Sequence, residues 1–145
     1  LVADGIQDIR NIGAISRSCL AFGIDLLIVG VKANAEIGEG AVKSSAGALL
    51  QLPVARVSSL SNTLNYLKSW GINQLAASEK SDQPLDKLNI KKLDSWALWM
   101  GNEDKGLSRE RLALMDKIWR IEMQGSMDSL NVSVAAGIML YQLTT

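Results

Sequence analysis

Three short stretches of this 145-residue chain hold the side chains whose types and spacing could act together in chemistry. Asn11 and Arg17 lie in DIRNIGAISRSCLAFG. Gly101, Asn102, Glu103 and Gly106 lie in LWMGNEDKGLS, and Ser129 and Asn131 lie in QGSMDSLNVSVAAGIMLYQL. Amides, a hydroxyl, a carboxylate and a guanidinium are groups that hold and orient a polar ligand, and glycine-bearing loops let backbone N–H groups approach one. Each stretch also has a purely structural reading. Asn11 and Asn131 suit helix N-caps, the glycine loop suits a turn ending in a Ser108 cap, and Arg17 suits a surface position. Arg17 stands one turn beyond Gly13, and helical side chains lean toward the N-terminus. Its guanidinium is therefore expected to reach back over that glycine toward a helix start, where anions are favoured.

Composition removes many classes. The chain contains no histidine, which excludes Ser-His and Cys-His triads, removes the usual general base and argues against the common zinc sites; no metal is expected. There is no G-x-G-x-x-G after the first strand, no G-x-x-x-x-G-K-[ST] and no G-x-S-x-G. GEGAVKS at Gly38–Ser44 has the wrong spacing for a phosphate loop and reads as a turn before a helix. Cys19 is the only cysteine, so no intrachain disulfide forms, and a reducing, cytoplasmic setting is expected. No apolar run approaches the roughly 20 residues that span a bilayer, so no membrane association is expected. Fifteen basic and fifteen acidic residues give zero formal charge. A nucleic-acid partner would then require a local basic face, dimerisation or a further domain. The chain opens on Leu1 without a signal-peptide pattern, as a domain cut from a longer protein would.

The elements that must position these groups alternate. Strands are expected at Leu1–Ile6, Asp25–Val31, Val54–Val57, Ile72–Ala77, Ser95–Met100 and Ile118–Met123. Helices are expected at Asn11–Phe22, Ser59–Trp70, Ser108–Lys117 and Asn131–Leu143. Glu36–Leu52 reads as a short helix, and Ser78–Asp94 as a surface loop with a helical turn. This is one α/β domain over residues 1–145, with a mostly parallel sheet and helices on both faces. The polar stretches fall at the C-terminal edges of strands, where open α/β sheets bind ligands. The final helix is apolar nearly all round and must be buried in a core or an interface.

Taken in order, N-x-G-x-x-x-R-…-F-G at Asn11–Gly23, G-N-E-x-x-G-L-S at Gly101–Ser108 and S-L-N-V-S-V-A-A at Ser129–Ala136 resemble the three motifs of the SpoU (TrmH-like) RNA ribose 2′-O-methyltransferases of the SPOUT superfamily. The resemblance covers nearly the whole chain. It implies an α/β knot whose C-terminal segment threads a preceding loop as a trefoil, an exception to ordinary topology rules. It implies S-adenosylmethionine (SAM), bound in a bent form by Met100, Gly101, Asn102, Ile121, Met123, Ser129 and Leu130. It implies catalytic positions at Asn11, Arg17, Glu103, Ser129 and Asn131, an RNA substrate, and a homodimer through the knot region. VKSSAGAL at Val42–Leu49 resembles the branch acting on a guanosine of large-subunit ribosomal RNA, favoured here over transfer RNA.

Some implications meet physical argument. Lowering an arginine's pKa from above 12 to near 7 costs about 7 kcal/mol at about 1.36 kcal/mol per unit, and an RNA phosphate would oppose the shift. Arg17 is therefore expected to stay cationic, holding a phosphate and stabilising developing negative charge. Glu103 is expected to orient Asn11 or Arg17. The chain departs from the family where Glu122 stands between Ile121 and Met123 in place of a proline, which bears on SAM affinity. Many relatives carry an N-terminal RNA-binding extension not visible in this sequence, and an uncharged domain alone is expected to bind RNA weakly. The competing readings are a transfer-RNA ribose methyltransferase, a non-catalytic RNA- or SAM-binding module with Glu122 as its best support, and a flavodoxin-like nucleotide binder.

Overall fold

Strands bury apolar side chains on alternate faces, and here both faces of one sheet are covered. The computed structural model describes residues 1–32, 34–85 and 93–145. Six strands, β1 (Val2–Asp4), β2 (Leu27–Gly30), β3 (Val54–Val57), β4 (Asn73–Ala77), β5 (Trp96–Gly101) and β6 (Lys117–Trp119), form one sheet in the order β3-β2-β1-β5-β4-β6. Every pairing is parallel. Such strands read as continuous apolar runs because neither face meets water. Ala3, Val29, Leu75, Leu98 and Met100 enter one core, while Val2, Ile28, Ala76, Ala97 and Trp99 enter the other.

The first core is closed by α1 (Ile9–Ala21), α2 (Glu39–Ser44) and α5 (Val132–Thr144). The second is closed by α3 (Leu60–Ser69) and the single-turn α4 (Arg109–Leu112). Helix α1 presents Ile12, Ile15 and Cys19, all fully buried; desolvation pushes the Cys19 thiol up to about 11, which makes it a core residue without thiolate chemistry. Gly13 is set by packing. A Cβ there would lie 1.9 Å from Ser44 Oγ and 2.8 Å from the Ala41 carbonyl oxygen, so only glycine lets α1 and α2 meet this closely. Of the final helix, Val132, Ala136, Met139 and Leu140 are buried, whereas Val134 and Tyr141 are about half exposed.

Several boundaries differ from the sequence expectation, each for a local reason. Helix α1 begins at Ile9, not Asn11, because the Asp8 side chain caps it by accepting from Arg10 N–H at 2.8 Å. The final strand stops at Trp119 rather than Met123. Its partner β4 ends at Ala77, opposite Trp119, and beyond it Arg120 N–H donates to the Gln83 carbonyl, leaving residues 121–123 free of the sheet. The helix after Ser108 ends at Leu112 because Asp116 must rejoin the sheet, exchanging backbone and side-chain bonds with Gln74. The segment expected as one short helix is α2 plus a 3₁₀ turn (Ala48–Leu50), separated where Ala46 turns left-handed at φ 51°. The helical turn expected within Ser78–Asp94 lies in part outside the described residues; residues 78–85 run as a loop alongside the end of β6.

Replacing Gly13 with alanine forces α1 away from α2. It is expected to cost about 1–3 kcal/mol, read as a lower urea midpoint. Gly125→Ala, with open space around its Cβ, is expected to stay within about 0.5 kcal/mol of the parent.

Candidate active site

At the C-terminal edge of the sheet, β1 and β5 deliver two loops side by side. After β5, Gly101 meets the returning chain so closely that a Cβ would sit 2.3 Å from the Gly106 carbonyl carbon and the Leu107 nitrogen. Asn102 and Gly106 then bridge in antiparallel fashion, with N···O distances of 3.2 and 2.9 Å. The Asn102 side chain stitches this loop in two directions. Its Oδ1 accepts from the N–H groups of Asp104 (3.0 Å) and Lys105 (3.1 Å), and its Nδ2 donates to the Gly5 carbonyl at the end of β1 (2.9 Å). The glycine spacing of G-N-E-x-x-G thus serves first to fold the loop on itself.

This loop aims Glu103 at the start of α1. The carboxylate accepts from Asp8 N–H (3.0 Å), Gln7 N–H (3.2 Å) and Asn11 Nδ2 (3.1 Å). Partial burial alone would raise its pKa, but the Asp8 N–H, the Asn11 amide and the N–H groups of Glu103 itself and Gln7 together outweigh that and hold it below the usual carboxylate value. Held ionised, it is an acceptor of hydrogen bonds and a poor acceptor of protons. Asn11, only 8% exposed, must therefore turn its NH₂ toward Glu103 and its Oδ1 away. That oxygen accepts from Asn131 Nδ2 at 3.1 Å. Asn131 in turn caps α5, its Oδ1 accepting from Ser133 N–H at 2.8 Å. One polarity runs through the row, from the helix α5 N-terminus through two amides to a carboxylate.

The Glu103 end of the row borders an open cavity of about 730 Å³, counting its mouth. All seven positions matched to cofactor binding, Met100, Gly101, Asn102, Ile121, Met123, Ser129 and Leu130, line it, as does Glu103. Ile121, Leu130, Val132 and Ala135 give it apolar wall; Ser78, Glu79 and Asp104 add polar groups. Ser78 and Glu79 escaped the sequence reading, although they are polar residues at the end of the strand next to β5, the signal that marked the other loops. Apolar wall beside the carboxyl groups of Glu79, Glu103 and Asp104 suits a ligand with an apolar part and a cationic part.

Arg17 is not brought to this row. It is exposed, and among the described residues it makes no hydrogen bond or ion pair with Asn11, Glu103, Ser129 or Asn131. Six residues along a helix is about 240° of rotation, which separates Arg17 from Asn11. Above Gly13 itself lies Ser44 of α2, 1.9 Å from where a Cβ would stand. Ser129 lines the cavity without joining the amide row among the described residues. Asn11 is no helix cap, as that place is taken by Asp8.

A cavity at the carboxyl edge of a fully parallel sheet, rimmed by loops from adjacent strands, defines an α/β ligand-binding domain of the kind that seats a nucleotide-like cofactor. The chain belongs to the SpoU rRNA Methylase family, whose model matches residues 1–141. It is 38% identical over 144 residues to an uncharacterized tRNA/rRNA methyltransferase of Archaeoglobus fulgidus, covering 99% of this chain and 63% of that protein. It is 34% identical over 143 residues to a TrmH family tRNA/rRNA methyltransferase of Staphylococcus aureus, covering 99% and 57%. Among solved structures, the SpoU methyltransferase AviRb from Streptomyces viridochromogenes in complex with AdoMet superposes with a TM-score of 0.87 at 31% identity, covering 99% of this chain and 55% of that one. The chain thus spans about half to two thirds of the length of the curated relatives it matches. Among the described residues, no helix is long and apolar enough to cross a membrane.

Glu103→Gln would turn an amide NH₂ toward one or more donors and is expected to destabilise the fold by on the order of 1 kcal/mol at pH 7, discounted for partial exposure. The folded-state pKa of Glu103 lies below the ordinary value. Its contribution is therefore complete above that ordinary value, and falls as pH drops through the lowered one. Denaturant midpoints of the two proteins should converge as pH falls from the ordinary glutamate value through that lowered one.

Proposed function

We propose that this chain is the catalytic domain of a SAM-dependent RNA methyltransferase acting on a ribose 2′-hydroxyl. The observation that carries this reading is the coincidence of the Glu103–Asn11–Asn131 row with a cavity lined by all seven matched cofactor positions. SAM would be held by the backbone around residues 100–102, by Ile121 and Met123, and by Ser129 and Leu130. When bound it would supply an activated methyl group on a sulfonium sulfur, with the thioether as leaving group and a ribose oxygen as acceptor. The protein then has to align the oxygen with the methyl group and hold it there. Asn131 has one amide proton left after donating to Asn11, and it would offer that proton to a ribose oxygen from its place between Leu130 and Val132, which line the cavity. Ser129 offers a hydroxyl beside it. Glu103 keeps the row polarised and stays ionised, so the proton leaving the 2′-hydroxyl passes to another acceptor. Arg17 acts as a cation, its exposure leaving it open to an RNA phosphate.

The substrate reading favours a guanosine of large-subunit ribosomal RNA, supported by the likeness of Val42–Leu49, with transfer RNA as the competitor. Two copies are proposed to pair through the knot region, covering Val134 and Tyr141. The knot itself is supported by the chain path. After β6 at one sheet edge, the chain passes alongside residues 78–85 and returns across the cavity to place α5 against α1.

Calorimetric titration with SAM is expected to give one saturable site per chain in a dimer; a folded dimer without binding would favour the non-catalytic module. Asn131→Ala is expected to lower kcat about 100-fold, while SAM affinity changes by only a few fold. Which purified RNA accepts labelled methyl separates ribosomal from transfer RNA. In the pH–rate profile, Arg17→Lys should retain measurable turnover with an unshifted apparent pKa. A large shift with turnover retained would instead make Arg17 the base.

A further inference from the structure

The 101–111 segment is closed into a ring on one residue, Asp4. Its backbone pairs with Gly101 at the segment's start. Its carboxylate takes the segment's other end, accepting from Arg111 Nε at 2.9 Å. The side chains of Arg111 and Asp4 are only 13% and 21% exposed. The guanidinium also lies over the indole of Trp99, 4.8 Å from the ring centroid. That indole is itself fixed, fully buried and donating through Nε1 to Gln74 Oε1 at 2.7 Å. An arginine fork stacked on an aromatic face and hydrogen-bonded to a carboxylate is strongly oriented, and lysine does not reproduce it. Between the two attachments lie Asn102, Glu103, Asp104 and Gly106, all of which line the cavity; Arg111 does not.

We infer that Arg111 is a positioning residue: held between Trp99 and Asp4, it closes the 101–111 segment onto β1 and keeps the cavity-lining loop in the form that receives the cofactor. The choice of cofactor rests on the function proposed above; the clamp itself rests only on the contacts. Nothing in the three sequence motifs marks Arg111 for this role, since it lies beyond Ser108 where the second motif ends.

The test uses Arg111→Met, Asp4→Asn and the double variant in the full chain, with amide hydrogen exchange and SAM titration on each. Exchange at the amides of Asn102, Asp104, Lys105 and Gly106 is expected to rise about tenfold or more, while Ile28 and Leu27 in the sheet stay protected. The Kd for SAM is expected to rise about tenfold, the change that loss of a charged hydrogen bond or cation–π contact corresponds to. The double variant should be no worse than the poorer single one, because both break the same clamp. Loop amides that exchange as in the parent, or rise only in step with the sheet, would overturn the inference. So would a mobile loop with unchanged SAM affinity. A parent protein that binds no SAM would remove the proposed function, and the exchange result would still decide the clamp.

Discussion

The ionised carboxylate of Glu103 fixes the orientation of the start of α1 and of the amide row that ends on it. A carboxylate can only accept, so each neighbour must present a donor. The backbone of residues 7 and 8 therefore turns its N–H groups inward, which sets the start of α1. The Asn11 amide must face it nitrogen-first, and that choice propagates to Asn131 and the first turn of α5. Three elements distant in sequence thus share one direction of hydrogen bonding. Water competes poorly because Asn11 is buried. A buried amide with a wrong-way neighbour would cost about 1–3 kcal/mol, so each member of the row holds the next in place.

The carboxylate can do this only because the loop that carries it is itself over-determined. Gly101 admits the returning backbone, Asn102 ties the loop to Gly5, and Asn34 ties the other side of the same β1 exit. Asn34 donates to Ala3 and Gly30 carbonyls and accepts from Ile6 N–H. The exit of the central strand is therefore stitched to both of its neighbours by side-chain amides, where the ladder has already ended. Strand ends in a parallel sheet leave backbone groups unpaired, and asparagine supplies a donor and an acceptor in one short side chain. Asn102, matched to cofactor binding in the sequence, thus also closes a strand end.

That double use explains what was legible and what was not. The strands and α1, α3 and α5 follow from runs and periodicities that buried faces impose, and their order gives the parallel sheet. The cavity lining follows from the family resemblance, which marks the exit of β5 and the segment between β6 and α5. Lost were the features set by partners far along the chain. The stop of β6 depends on where β4 ends, and the short α4 on where Asp116 must meet Gln74. Asp8, three residues ahead of Asn11, was the stronger cap and was passed over. Arg17 is different: helix geometry alone puts it well around α1 from Asn11, so grouping them followed the motif rather than the helix.

The last helix joins these threads. Its sequence has no apolar stripe because its exposed positions are nearly as apolar as its buried ones, Val134 and Tyr141 against Met139 and Leu140. Periodicity therefore could not say which side meets the core. Its first residue outside the helix anchors the mouth: Asn131 accepts from Ser133 N–H in the first turn of α5 and donates to Asn11 of α1. Turning the helix would expose the fully buried Ala136, Met139 and Leu140 and bury the Tyr141 hydroxyl, so close packing resists rotation. The Asn131–Asn11 bond adds direction to that packing, so one contact ties the mouth of α5 both to α1 and to the polar row that ends on Glu103.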